Sequence, residues 1–268
     1  MLVKSKVIAV TGGGNGIGRE LILHLLEKGA KVAAIDINKD YLEETAALAG
    51  EKAADLSLHV TDITNRETVA ALPEAIIAAH GAIDGIINNA GVIQPFVKVA
   101  DLDYKKIEFV MNVNFYGTLY MVKSFLPYLL QRPEAHIVNI SSMGGYLPVP
   151  GQSVYGASKA AVKLLTEGLY AELIDTNVRV TVVFPGGVAT AITTNSGVEY
   201  KSEKTEDAGK KKQKAYKMLM PRQAAEIIVN GMEKNRFRVL AGQDAKFTDF
   251  LYRLSPRKAT HMILKKMS

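Results

Sequence analysis

The chain has 268 residues, of which 48% are hydrophobic and 22% charged, and it contains no cysteine. That length supports a large core without covalent staples, and the missing thiols exclude disulfides and thiolate metal sites and fit a reducing cytoplasm. The formal charge of +6 is concentrated in residues 201–268, while the first 200 residues are net acidic. No run reaches the ~20 apolar residues that span a bilayer, and the charged N-terminus passes straight into Val7–Val10 with no apolar stretch of signal length.

Short β-branched runs alternate with longer helical patterns along the chain. Strands are expected at Val7–Val10, Val32–Asp36, Leu56–Val60, Gly85–Asn88, His136–Ile140, Val178–Phe184 and Phe237–Ala241. Most are apolar throughout, as in strands covered on both faces. Helices are expected at Ile17–Lys28, Tyr41–Ala49, Arg66–His80, Tyr104–Leu130, Val154–Ile174 and Arg222–Glu233. This order predicts an α/β fold, a doubly wound parallel sheet between two helical layers, in one domain covering 1–268.

Two stretches depart from the rhythm. Residues 192–220, with Lys210, Lys211, Lys212 and Lys214 in their middle, are long enough to read as a substrate lid. Residues 244–268 form a basic helical tail with an apolar stripe at Phe247, Phe250, Leu251 and Leu254. The tail has three readings: an oligomer interface, a cover over the substrate, or a peripheral membrane contact, the last the least favoured. A nucleic-acid partner is not expected, because the lysine run lacks interleaved aromatics apart from Tyr216.

The first strand ends in Thr11-Gly12-Gly13-Gly14-Asn15-Gly16-Ile17-Gly18, a T-G-x-x-x-G-x-G pattern running into a helix. Glycines there let the backbone approach a pyrophosphate, and the helix N-terminus favours its charge. Asp36 ends the second strand, about twenty residues on, where a carboxylate can accept hydrogen bonds from ribose hydroxyls and would repel a 2'-phosphate. Ile37 follows it, with no base in place to reverse that preference except Lys39 nearby, so NAD is expected and NADP is less favoured. Tyr155 and Lys159 lie four residues apart on one helix face, where an ammonium can stabilise a phenolate and let the phenol exchange a proton with an alcohol or ketone.

With the glycine pattern, Asn88-Asn89-Ala90-Gly91, Ser142, and Tyr155 with Lys159, the chain resembles the short-chain dehydrogenase/reductase family over roughly residues 5–242. The resemblance implies a single NAD(P)-binding domain of Rossmann type, hydride transfer to or from a carbonyl, and a homo-oligomer, tetramer or dimer. It implies Tyr155 as general acid/base, Lys159 as its pKa partner and a ligand of the nicotinamide ribose, Ser142 on the substrate oxygen, and Asn114 holding a relay water. Ser141 and Asn112 are the neighbours that rival Ser142 and Asn114.

The cofactor set it implies comprises Gly12, Gly14, Asn15, Gly16, Ile17, Gly18, Asp36, Ile37, Asp62, Ile63, Asn89, Ala90, Gly91, Tyr155, Lys159, Pro185, Gly186, Val188 and Thr190. No metal is expected. Ile93, Gln94, Leu147, Val149, Pro150, Gln152 and Ile192 are expected to wall a mostly apolar small-molecule pocket. A secondary alcohol and its ketone are therefore the expected substrate pair. The alternatives are a 3-oxoacyl thioester reductase and a non-catalytic NAD-sensing protein on the same fold.

Overall fold

A computed structural model describes residues 1–190, 192–196, 198 and 218–267. The lysine cluster and most of the expected lid lie outside those residues. Seven strands form one sheet: β1 (Val7–Thr11), β2 (Lys31–Asp36), β3 (Leu56–Val60), β4 (Gly85–Asn88), β5 (Ala135–Ile140), β6 (Val178–Pro185) and β7 (Arg238–Ala241). Their spatial order is β3-β2-β1-β4-β5-β6-β7, every pairing parallel. Each strand lies within about a residue of its expected bounds.

The helices are α1 (Gly16–Glu27), α2 (Lys39–Ala49), α3 (Arg66–His80), α4 (Tyr104–Met111), α5 (Thr118–Leu129), α6 (Ser153–Glu172), a single turn α7 (Ile192–Asn195), α8 (Pro221–Glu233), α9 (Gln243–Leu254) and α10 (Pro256–Met267). Local chemistry sets several starts. Asn38 accepts from the Tyr41 amide, Asn65 from Glu67 and Thr68, and Asp103 from Lys105. Helix α3 closes on Gly81 at φ +84°, a left-handed conformation that glycine adopts without strain.

Alternate residues of each strand feed opposite layers. Ile8 and Val10 pack with Leu21 and Leu25 of α1 and Ile228 of α8. Val7 and Ala9 pack with Ile76 of α3, Phe125 of α5 and Leu169 of α6. Because the central strands β1, β4 and β5 are buried at every position, their sequence is mostly apolar at successive positions instead of alternating, whereas the edge strand β3 leaves Leu58 and Val60 exposed. The strand order reverses between β1 and β4, which opens a crevice beyond the carboxyl ends of the strands.

One expected element is broken, and the tail helix shows which way its stripe points. The helix expected to run unbroken over Tyr104–Leu130 is interrupted by a π-turn at Asn112–Gly117, a distortion that concentrates at functional sites. Asn114 inside that turn is pulled sideways by hydrogen bonds to the loop after β4 and to α6. The apolar stripe of α9 faces outward: Phe250 and Leu254 are 63% and 68% exposed, while Ala245, Thr248 and Asp249 pack inward. No helix among the described residues is long and apolar enough to cross a membrane.

Candidate active site

The crevice is a cavity of about 780 Å³ running from the glycine turn and Asp36 at one end to Ser142, Tyr155 and Lys159 at the other. The glycine turn is built by exclusion. A Cβ on Gly18 would lie 1.9 Å from the Gly12 carbonyl oxygen, so only glycine lets α1 start so close beneath β1. Gly12 itself has φ +67°, and a Cβ on it would lie 2.9 Å from Ala90 Cα. The segment after β4 grips this turn: Asn89 N–H and Ala90 N–H both donate to Thr11 Oγ1, at 3.0 and 3.1 Å, and Asn89 Nδ2 donates to the Thr11 carbonyl at 3.0 Å.

Asp36 lines the cavity with one oxygen accepting the Gly14 amide at 2.9 Å and the other the Asn38 amide at 3.0 Å. It therefore orders the glycine turn while leaving lone pairs directed at the crevice. Asn15, Gly16, Ile17, Ile37, Ala90, Gly91, Pro185, Gly186, Val188 and Thr190 also line the crevice. So do Asp62 and Ile63, where Asp62 Oδ1 accepts from the Thr64 amide and hydroxyl at 2.9 and 2.8 Å. Asn88 instead faces the interior and donates to Asn139 of β5 at 2.8 Å.

At the opposite end the two serines separate. Both line the cavity, but successive residues at a strand end point to opposite sides: Ser141 is buried and donates to the Lys159 carbonyl at 2.7 Å, whereas the more open Ser142 lies beside the Tyr155 side chain. Burial pushes the Tyr155 phenol above its ordinary value, and the Ser142 hydroxyl beside it acts the other way. Lys159 is almost fully buried, donates to the Ile140 carbonyl at 3.0 Å, and is lowered by burial to about 8. Lys159 thus gives up its proton before a phenol of raised pKa does. The expected help of the ammonium to Tyr155 requires that Lys159 keep its charge.

Asn112 lines the crevice, and Asn114 is fully buried. Its Oδ1 accepts the Val92 amide at 2.9 Å, and its Nδ2 donates to the Val92 carbonyl at 3.0 Å and Ser158 Oγ at 2.9 Å. Both N–H groups of the amide are spent on the protein. Among the expected pocket-wall residues, Ile93 and Ile192 line the cavity, whereas Gln94, Leu147 and Gln152 are buried.

Sequence reasoning missed Asp244 at the head of α9. It accepts the Gly187 amide at 2.7 Å, and a Cβ on Gly186 would meet its carboxylate at 2.1 Å. The same helix end takes the Tyr146 hydroxyl on the Ala245 carbonyl at 2.8 Å. Helix α9 thus braces both the Pro185–Thr190 loop and the turn after Ser142. The only sequence signal was an acidic residue just after a glycine beyond β7, which reads as an ordinary helix start. Leu219 returns to the same loop, accepting from Ala189 and donating to Gly187 at 3.0 and 2.9 Å.

The family profile described as short chain dehydrogenase matches residues 6–201. SadH of Mycobacterium tuberculosis (strain H37Rv), provisionally named an oxidoreductase, is 38% identical over 253 residues, covering 94% of this chain and 91% of the relative. A short chain dehydrogenase/reductase from Burkholderia phymatum, solved in complex with NAD, superposes at TM-score 0.80 with 28% identity, covering 90% of each chain. A short chain dehydrogenase from Burkholderia cenocepacia J2315, solved in complex with NADP, does so at 0.80 and 28%, covering 98% of this chain and 99% of its own. The parallel sheet, the glycine turn at its switch point and the Tyr155–Lys159 pair thus agree with the sequence matches: the chain belongs to the short-chain dehydrogenase family of oxidoreductases.

Proposed function

We propose that the protein interconverts a secondary alcohol and a ketone with NAD, using Tyr155 as general acid/base. The observation that carries this reading is the half-buried Tyr155 facing the cavity beside Ser142, one helical turn from Lys159, at the far end from the glycine turn. The residues present fit a dinucleotide: close backbone approach at Gly12 and Gly18, a helix N-terminus at Gly16, and a carboxylate at Asp36 for ribose hydroxyls. When bound, the nicotinamide supplies or accepts the hydride.

The chain's own side chains do the rest. Tyr155 gives its proton to the ketone oxygen, or takes the alcohol proton in the reverse direction. Ser142 donates to that oxygen as negative charge builds on it. Lys159, as an ammonium, stabilises the phenolate and holds the nicotinamide ribose. Asn114 fixes Val92 beside Gly91, whose missing Cβ leaves Lys159 Nζ its room. Val188 and Thr190 line the cavity from the β6 loop and would hold the nicotinamide there. The apolar wall at Ile93 and Ile192 favours a mostly apolar substrate.

NAD over NADP follows from Asp36, because a 2'-phosphate would meet like charge at the cavity rim. A panel of secondary alcohols and ketones, read by nicotinamide absorbance with NAD and NADH, tests the activity. In Tyr155→Phe, turnover should fall by roughly 10²–10⁴-fold with NADH binding retained. A variant that kept a tenth of wild-type turnover would sink the assignment of Tyr155.

A further inference from the structure

Helix α6, which carries Tyr155, begins at Ser153 with Gln152 in the capping position and no side-chain cap of its own. The first N–H groups of a helix have no partner within it, and the residue at the cap usually supplies an acceptor. Here the acceptor comes from another part of the chain. Gln94, in the loop after β4 and fully buried, accepts both the Val154 and the Tyr155 amide on Oε1, each at 2.9 Å. Its Nε2 donates to the Gly151 carbonyl at 2.9 Å, and Gln152 Nε2 donates back to the Gln94 carbonyl at 2.7 Å.

The loop bearing Gln94 is itself tied down. Val92 exchanges two bonds with the Asn114 amide, and the Ile93 amide donates to Ser196 Oγ at 2.9 Å. Gln152 even leaves its buried Oε1 without a partner among the described residues, so its contribution here is its donor. A cap supplied by Ser, Asp or Asn at position 152 would have satisfied the helix end locally. The bonds from Gln94 instead join the backbone of Tyr155 to the loop that runs from the glycine-turn clamp at Asn89 to the cavity wall at Ile93.

We infer that Gln94 is a positioning residue for proton transfer: it caps α6 from the β4 loop and holds Tyr155 in register with Ser142. This rests on the reading of Tyr155 as acid/base. A side-chain amide suits the task, since its oxygen accepts the two helix amides while its nitrogen holds the Gly151 carbonyl.

The test compares wild type, Gln94→Met and Gln94→Glu, using a ketone from the panel that wild type reduces with NADH. Met fills the space without an acceptor, and Glu restores the oxygen. In Q94M, kcat should drop roughly tenfold, short of the ~100-fold that a 1 Å misplacement costs. The Kd for NADH should stay within about twofold, because the glycine turn and Asp36 are untouched. Ultraviolet difference titration against Y155F should place the Tyr155 phenol higher in Q94M than in wild type, and Q94E should recover most of kcat. A Q94M enzyme that loses thermal stability but keeps wild-type kcat and phenol titration would overturn the inference and leave Gln94 a packing residue.

Should Q94M not fold, hydrogen exchange on wild type decides: the Val154 and Tyr155 amides should be protected to the level of the α6 interior. Fast exchange there would refute the cap. If Y155F retains turnover, the reading of Tyr155 fails by itself, while the exchange result still reports on the cap.

Discussion

Lys159 offers a direct measure of what this site costs the fold. Its side chain is almost wholly buried, donates to the Ile140 carbonyl at 3.0 Å, and is lowered by burial from 10.5 to about 8. Below pH 8 both folded and unfolded chains carry the charge, and the folded state bears the full penalty of enclosing it. Between 8 and 10.5 the folded chain gives up the proton while the unfolded chain keeps it, so stability rises with pH. Above 10.5 both are neutral and the effect ends. At about 1.36 kcal/mol per pH unit, the interval amounts to about 3 kcal/mol.

The perturbation is Lys159→Met, which keeps the length and removes the titration. Urea unfolding of cofactor-free protein across this range should show wild type gaining about 3 kcal/mol relative to the variant from below pH 8 to above pH 10.5. K159M should be the more stable of the two on the acid side. A stability difference that stayed flat would show that Lys159 titrates as a solvated lysine. One that fell with rising pH would show an ammonium stabilised by the fold, and either result refutes the reasoning.

The glycine turn and the cofactor preference are tested separately. Gly18→Ala places a Cβ 1.9 Å from the Gly12 carbonyl oxygen, so it should cost about 1–3 kcal/mol and abolish NADH binding in a fluorescence titration. Wild-type affinity in G18A would show that the turn does not hold the pyrophosphate. For Asp36, kcat/KM should favour NADH over NADPH in wild type. Asp36→Ser should shrink that ratio by roughly ten- to a hundredfold, as a charge-assisted bond of about 1.5–3 kcal/mol is lost. A wild-type preference for NADPH would show that Lys39 or another base overrides the carboxylate.

The expectations that held are those governed by short-range rules. Strands read as continuous apolar runs because both faces of the sheet are covered, and that burial is written residue by residue in Val7–Thr11 and Val178–Pro185. The glycine turn is legible because only glycine tolerates the approach of Gly12 to Gly18, and Tyr155 and Lys159 because helical geometry brings i and i+4 together.

Asn114 could be located by its segment, yet neither the π-turn nor the full commitment of its N–H groups to Val92 and Ser158 is encoded nearby. Gln94 and Gln152 read as polar residues of a pocket wall, and only the folded chain shows them locked together beneath it. Ser141 and Ser142 could be ranked by spacing, but their separation depends on which side of β5 meets α6. Asp244 reaches back to Gly187 across the sequence because β7 places the head of α9 beside the β6 loop. Propensity, periodicity and capping act within a few residues, so the sequence by itself determined the elements and the glycine turn. Which polar atoms meet depends on contacts between segments tens of residues apart, and those exist only once the sheet has assembled.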